Sequence, residues 1–258
     1  MQLSYLKNMK ITDKPIIIEA QNINKTFHVK AQDVQVLSEI SMSVHEGDFL
    51  VLFGPSGCGK STLLHILLGL ESPSSGWVSF LGKSLYDEMD EDMRTEFRKI
   101  HIGMVYQQPN WIKALSVRGN IVFALRLSGC LVKDTIERAN AILEMVGMTQ
   151  WADYIPTELS SGQQQRVALA RAIVTNPDIL IADEPTGNLD FESGQELMTL
   201  LSKLNKEGKT IIMVTHDLEY LTFANRAIHM FDGKIVEEIT DPVKFVKEGD
   251  HSLKRIHL

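Results

Sequence analysis

The sequence predicts an α/β fold with a mostly parallel core sheet and a helical insertion. Short apolar runs alternate with helical patterns, and we expect strands at residues 16–23, 49–53, 102–106, 179–182 and 210–215. Residues 179–181 and 211–214 are apolar at consecutive positions, which is typical of parallel strands that helices cover on both faces. Between about residues 85 and 160 the spacing becomes helical, which indicates an insertion between two halves of the core.

The helical insertion has a predicted buried face. It opens with an acidic stretch at residues 87–92, and a later segment places Ile136, Ala139, Ile142, Leu143 and Val146 along one side of a helix. We therefore expect an N-terminal tail at residues 1–14, a main domain at 15–240 with its helical subdomain at about 85–160, and a C-terminal helix and tail at 241–258.

Composition and charge exclude several classes of function. The chain has 258 residues, of which 44% are hydrophobic and 23% charged, enough for a substantial core. With 26 Lys and Arg against 33 Asp and Glu, the net charge of −7 argues against non-specific binding to nucleic acid or anionic lipid. No apolar run approaches the roughly 18 to 20 residues of a membrane span, and the start does not resemble a secretory signal. The spacing of Cys58 and Cys130 indicates neither a disulfide framework nor a zinc site, so we expect a cytoplasmic chain with reduced thiols.

A glycine-rich loop follows the predicted strand at residues 49–53. It matches the pattern GxxxxGK[ST] with Gly54, Pro55, Ser56, Gly57, Cys58, Gly59, Lys60, Ser61 and Thr62. Glycines let successive backbone N–H groups surround phosphate oxygens, Lys60 supplies a positive charge, and the Ser61 hydroxyl suits Mg²⁺. The loop therefore predicts nucleotide binding. Because Cys58 lies close to Lys60 and to a helix N-terminus, we also expect a lowered thiol pKa.

Acidic and histidine side chains end two further predicted strands. Asp183 and Glu184 follow residues 179–182, and His216 follows residues 210–215. Ligands of open α/β sheets bind at the carboxyl ends of the strands, so both acids are expected beside the phosphates. Asp183 is suited to hold Mg²⁺ and Glu184 to polarise the attacking water. His216 is a candidate for a hydrogen bond to the γ-phosphate, and an ordinary semi-buried histidine is the alternative.

A polar segment before an apolar helical run completes the pattern. Leu159 precedes Ser160, Ser161, Gly162 and Gln163, and the metal strand follows shortly afterwards. With this segment the chain resembles the ATP-binding cassette (ABC) ATPases over about residues 16–238, with the motifs in the family's order. The resemblance implies a P-loop NTPase fold of the ABC type, with an antiparallel β region besides the core sheet and helical subdomain. It also implies ATP and Mg²⁺ as ligands.

The resemblance assigns roles that local patterns do not. It implies that Phe27 stacks on adenine, that Gln107 links Mg²⁺ to the helical subdomain, and that Asp190 lies in a loop at a dimer interface. Simple core packing is the alternative for Phe27. Residues 160–163 match the family signature, and His216 matches its switch histidine. Two cassettes are expected to form a head-to-tail dimer around two ATP molecules, with each phosphate loop facing the partner's signature.

Two positions depart from the family pattern. Ser161 stands where the signature usually has glycine, and Phe27 stands where tyrosine is commoner. If the signature position needs a positive φ or close backbone approach, Ser161 weakens the closed dimer. Neither departure touches Lys60, Asp183 or Glu184, so hydrolysis is expected to be intact.

The nearest resemblance within the family is to the lipoprotein-releasing, macrolide-exporting and cell-division cassettes. It implies a cytoplasmic ATPase, peripheral on the membrane, which drives conformational change in transmembrane permease subunits. The alternative is a regulatory cassette of a cell-division type that moves no solute. A soluble cassette of DNA repair or translation is disfavoured because a second cassette, long coiled coils and zinc insertions are absent from the sequence. Trp111 and Ile112 are candidate contacts with the membrane partner, with packing of the helical domain as the alternative.

Overall fold

The computed structural model describes residues 14–29, 32–130 and 132–248. Its strands are β1 (Ile16–Val29), β2 (Gln32–His45), β3 (Phe49–Phe53), β4 (Ser75–Phe80), β5 (Lys83–Ser84), β6 (Ile102–Tyr106), β7 (Ile179–Asp183), β8 (Thr210–Thr215), β9 (Arg226–Phe231) and β10 (Lys234–Ile239). Its α-helices are α1 (Lys60–Leu67), α2 (Glu91–His101), α3 (Val117–Leu127), α4 (Val132–Met145), α5 (Ser161–Ile173), α6 (Phe191–Lys206) and α7 (Pro242–Glu248). Short 3₁₀ turns lie at Thr149–Trp151, Pro156–Glu158 and Leu218–Phe223.

The chain divides into two compact units, Met1–Asp90 with Val214–Leu258, and Glu91–Met213. In the first unit, β1 pairs antiparallel with β2 and β4, and β5 extends this sheet along β4. Also in this unit, β3 is parallel to β9, and β9 forms a hairpin with β10. Every residue of β3 is buried, as expected for a strand covered on both faces. The unit therefore combines the antiparallel region implied by the family resemblance with strands of the core sheet.

The second unit holds a parallel strand pair and a helical core. Strands β6 and β7 are parallel, with Tyr106 opposite Asp183 at their carboxyl ends. Buried apolar side chains of α3, α4 and α5 pack into one cluster that includes Ile121, Leu143 and Val167. Among the described residues, no helix is both long and apolar enough to cross a membrane.

Most predicted strands are confirmed, whereas the predicted buried face of one helix is partly wrong. The bounds of β3, β6 and β8 agree with the predicted ranges, and β1 extends beyond its predicted end to Val29. On α4, Ala139 and Leu143 are buried as predicted, and so is Val146 directly after the helix. Ile136 is instead 52% exposed, and Thr135 occupies the buried position beside it. The helix is thus rotated so that a threonine, not an isoleucine, completes its buried stripe.

Substitutions on α4 test this orientation. We expect Leu143→Ala to lower the free energy of unfolding by about 2 to 5 kcal/mol, because it leaves a cavity in the helical core. Ile136→Ser changes an exposed side chain, so its effect should stay within about 0.5 kcal/mol. Chemical denaturation of both variants measures the difference, and equal losses would contradict the orientation of α4.

Candidate functional site

At two positions of the glycine-rich loop between β3 and α1, the backbone leaves room only for glycine. Gly54 has a φ of +148°, and a Cβ there would lie 2.0 Å from the Met230 carbonyl oxygen. Gly59 has a φ of +100° and stands directly before α1, where a Cβ would lie 2.7 Å from Leu37 Cδ2. The loop consequently passes close to neighbouring backbone and side chains before it enters the helix.

Lys60 is the first residue of α1 and is only 6% exposed. Its ammonium group donates hydrogen bonds to the carbonyl oxygens of Gly54, at 2.7 Å, and Pro55, at 3.0 Å. The loop thus curls around its own lysine, with the N-terminal N–H groups of α1 directly behind it. Ser56, Gly57 and Ser61 are exposed at this loop. A cationic side chain, a glycine turn and a helix N-terminus together form the cradle that a nucleotide phosphate requires.

Cys58 departs from the sequence-based expectation. The side chain is 5% exposed, and burial raises the pKa of its thiol, although the Lys60 charge at 4.0 Å from Sγ acts in the opposite direction. The predicted lowering of the pKa is therefore wrong, because desolvation of the thiolate outweighs the nearby ammonium group. Cys58 fits the loop as a small buried side chain.

Phe27 lies on β1 of the first unit, where the side chain of Lys25 contacts its ring. Lys25 Nζ lies 4.7 Å from the centre of the Phe27 ring and donates a 2.7 Å hydrogen bond to the Ser72 carbonyl oxygen. Lys25 also forms an ion pair with Glu71. The cation is attracted to the negative face of the ring and fixes its orientation. Because the predicted strand ended at residue 23, the sequence did not indicate that Lys25 and Phe27 lie on one face of β1.

In the second unit, Gln107 and Asp183 lie at the ends of neighbouring parallel strands. Asp183 ends β7, and Gln107 follows Tyr106, the residue that pairs with Asp183. Glu184 comes next, with a φ of +48°, a conformation that is uncommon for a residue with a side chain. The parallel pair therefore brings an amide and two acids to one edge, as the sequence predicted for Asp183 and Glu184.

The signature segment forms the N-terminus of α5. Ser160 caps the helix: its hydroxyl accepts a hydrogen bond from the Gln163 N–H at 3.3 Å, and the Gln163 side-chain oxygen accepts one from the Ser160 N–H at 3.0 Å. This capping box satisfies the backbone N–H groups of Ser160 and Gln163 at the start of the helix. Ser161 is the first helical residue, is exposed and has no positive φ, so the strain considered for a serine here is absent. At Gly162 a Cβ would lie 2.6 Å from the Ser193 hydroxyl.

Asp190 caps the following helix, α6. Its carboxylate accepts hydrogen bonds from the N–H of Ser193, at 2.9 Å, and from the Ser193 hydroxyl, at 2.8 Å. These hydrogen bonds lower the pKa of the Asp190 carboxyl. Because Ser193 also packs against Gly162, the start of α6 is fixed next to the signature. His216 belongs to the other unit, where it follows β8 with an exposed side chain.

The Trp111 side chain is partly buried and packs against the helical core. Its indole N–H donates to the Gln164 side-chain oxygen at 2.9 Å, and the Arg171 guanidinium lies 4.6 Å from its ring centre. This arrangement supports the packing alternative for Trp111. Ile112 is exposed and stays a candidate partner contact.

The glycine loop, its buried lysine and the following helix define a P-loop nucleotide-binding protein. A family model described as ABC transporter matches residues 37–187. The uncharacterized ABC transporter ATP-binding protein MJ1508 of Methanocaldococcus jannaschii is 43% identical over 223 residues, which cover 86% of this chain and 99% of the relative. The chain belongs to the ABC transporter family and is one of its ATP-binding cassettes.

Two further comparisons agree with this assignment. The macrolide export ATP-binding/permease protein MacB of Chlorobaculum tepidum is 40% identical over 225 residues, but the match covers only 34% of that protein. The dimeric post-hydrolysis structure of the cassette MJ0796, bound to ADP and Pi, superposes with a TM-score of 0.80 at 36% identity and covers 87% of this chain and 98% of that chain. The predicted family and fold class, and the likeness to macrolide-exporting cassettes, are confirmed.

Position 161 supplies a direct test of the signature geometry. Because Ser161 is exposed with helical backbone, we expect Ser161→Gly to leave ATP hydrolysis unchanged or raise it, at a cost in stability of no more than about 1 kcal/mol. The neighbouring change Gly162→Ala should lower hydrolysis, since its methyl group meets Ser193. Steady-state phosphate release measures both. A large loss in Ser161→Gly alone would show that the serine is required.

Proposed function

We propose that this chain hydrolyses ATP as the engine of an ABC transporter complex, with Glu184 as the general base. The observation that carries the proposal is the phosphate loop, in which a buried Lys60 is held by loop carbonyl oxygens at a helix N-terminus. ATP binding by this class of cassette agrees with the nucleotide in the MJ0796 structure.

The first unit supplies the groups that hold the nucleotide. Lys60 and the N–H groups at the start of α1 bind the β- and γ-phosphates, with no need for a side chain at Gly54 or Gly59. The Phe27 ring stacks on the adenine, and the Lys25 cation beside it keeps the ring in place. His216 donates a hydrogen bond to the γ-phosphate or to the water.

Oxygen donors suited to Mg²⁺ are available in both units. Mg²⁺ prefers hydroxyl, carboxylate and amide oxygens, and we propose Ser61, Asp183 and Gln107 as its protein ligands. When bound, the ion neutralises charge on the β- and γ-phosphates. Glu184 accepts a proton from the attacking water, which its position directly after Asp183 favours.

A second copy of the chain completes the site in this proposal. The N-terminus of α5, with its helix dipole and the Ser160 hydroxyl, suits the γ-phosphate of ATP held by the partner. Asp190 lies at the start of α6, in the loop that meets the partner cassette. ATP then joins two cassettes, and hydrolysis releases them. The dimeric structure of MJ0796 supports this arrangement.

The partners proposed are transmembrane permease subunits, with the cassette peripheral on the cytoplasmic face. The name of MacB joins an ATP-binding and a permease part, and this chain matches only a third of that protein. The likeness to MacB therefore supports a permease partner for the cassette. We also propose the domain bounds predicted from the sequence, including a helical subdomain at about residues 85–160.

Neutralising the proposed base tests the assignment. We expect Glu184→Gln to lower ATP hydrolysis by about 100-fold or more, because the amide cannot accept the proton of the water. ATP binding should persist, and a dimer should accumulate in size-exclusion chromatography with ATP.

Glu192→Gln is the matched control, since Glu192 is an exposed acid in the first turn of α6. It should keep wild-type hydrolysis within about two-fold. Wild-type hydrolysis by Glu184→Gln would show that another group is the base.

A further inference from the structure

Gln165 is a buried glutamine whose side-chain amide lies among three backbone carbonyl groups of the second unit. It is only 2% exposed, although its neighbours Gln163 and Gln164 are half-buried on the same helix. Its Nε2 donates to the carbonyl oxygens of Pro185, at 2.7 Å, and Tyr106, at 2.9 Å. The Gln107 carbonyl oxygen lies 3.4 Å away.

The chemistry of these contacts fixes which end of the amide faces the carbonyl groups. An amide NH₂ has two hydrogens, and three oxygen acceptors surround it here. If the side chain were flipped, Oε1 would face three other oxygens with no hydrogen between them. The Gln165 Oε1 is buried and has no hydrogen-bond partner within the described ranges. The position therefore specifically requires a donor, and shape alone would not satisfy it.

The three acceptors belong to the two loops that carry the proposed chemistry. Tyr106 precedes Gln107, and Pro185 follows Glu184. One side chain thus ties the backbone beside the proposed Mg²⁺ ligand to the backbone beside the proposed base. The two loops also meet directly, since a Cβ at Gly187 would lie 2.6 Å from Gln107 Nε2.

Gln165 also connects both loops to the signature. It lies on α5, five residues after the Ser160 cap, so about 7.5 Å of rigid helix separates them. Because α5 is continuous from the Ser160 cap to Gln165, we expect a movement of the helix N-terminus to displace Gln165 as well.

We propose that Gln165 is a positioning residue that sets the spacing between Gln107 and Glu184 and couples both to the signature helix. This inference rests on the proposed function, because the spacing between Gln107 and Glu184 affects hydrolysis only if both residues act in it. It predicts that loss of the Gln165 donor lowers the rate of hydrolysis without weakening the binding of ATP, which the other unit contacts.

Two isosteric variants and one control test the proposal. Gln165→Met keeps the length of the side chain and removes the donor, and Gln165→Glu places carboxylate oxygens against the carbonyl groups. Gln164→Glu makes the same chemical change at the preceding residue, whose side chain contacts Trp111 and the Leu159 carbonyl oxygen instead. All proteins are assayed well below their thermal midpoints, so that unfolding does not affect the rates.

We expect kcat to fall by about 10-fold in Gln165→Met and about 100-fold in Gln165→Glu, because the reacting groups lose their alignment. The Kd for a fluorescent ATP analogue should stay within about three-fold of the wild type in both. Gln164→Glu should retain kcat within about two-fold. Hydrogen exchange should rise in Gln165→Met at both residues 106–111 and residues 185–189.

The outcomes separate this inference from the proposed function. Wild-type kcat in a folded Gln165→Met variant, or equal losses of kcat and ATP affinity, would overturn the positioning role. An unaltered exchange rate in either segment would also overturn it. If instead Glu184→Gln hydrolysed ATP normally, the proposed base would be wrong, whereas increased exchange at both loops would still support the Gln165 contacts.

Discussion

The buried ammonium group of Lys60 constrains much of the first unit. Burial of a cation is costly unless hydrogen bonds replace its hydration, and here the carbonyl oxygens of Gly54 and Pro55 do so. The loop must therefore turn back on itself between a fully buried strand and a helix. Positive φ angles at Gly54 and Gly59 make that turn possible, and close neighbours at both positions exclude any side chain. The same turn exposes the helix N-terminus, so one steric and electrostatic solution yields both a stable loop and a phosphate site.

In the second unit, helix α5 is the element that contacts the other parts of the proposed site. Its N-terminus is capped by Ser160, and its second residue, Gly162, is small enough to admit Ser193 from α6. One turn later Gln165 holds the loops after β6 and β7. The signature and the two loops that carry the proposed Mg²⁺ ligand and the proposed base are consequently attached to one helix. Hydrolysis can respond to contact at the N-terminus of α5 only if the groups proposed to act in it are attached to that helix.

The sequence was most informative where one local constraint dominates. The strand at residues 49–53 has every side chain buried, so a continuous apolar run sufficed to find both ends. The β9–β10 hairpin was missed, although Asp232 and Gly233 between two strands are a recognisable turn signal.

Other features depend on tertiary packing. Thr135 takes the buried position expected for Ile136, and the pKa of Cys58 follows its burial more than the nearby charge. Residues 163–165 are all glutamine in the sequence, and only the structure shows that Gln165 is the buried hydrogen-bond donor among them.

The roles of the site residues themselves stay predictions that rest on chemistry and family resemblance. The central one is that each nucleotide site needs a second copy of the chain, and mixing two inactive variants tests it most directly. Lys60→Ala disables the phosphate loop, and Ser160→Asp keeps a helix cap but repels the partner's γ-phosphate. Each variant alone should be inactive, whereas an equal mixture should recover about a quarter of wild-type hydrolysis, since half of the dimers are mixed and each has one intact site. A mixture as inactive as its components would contradict the account.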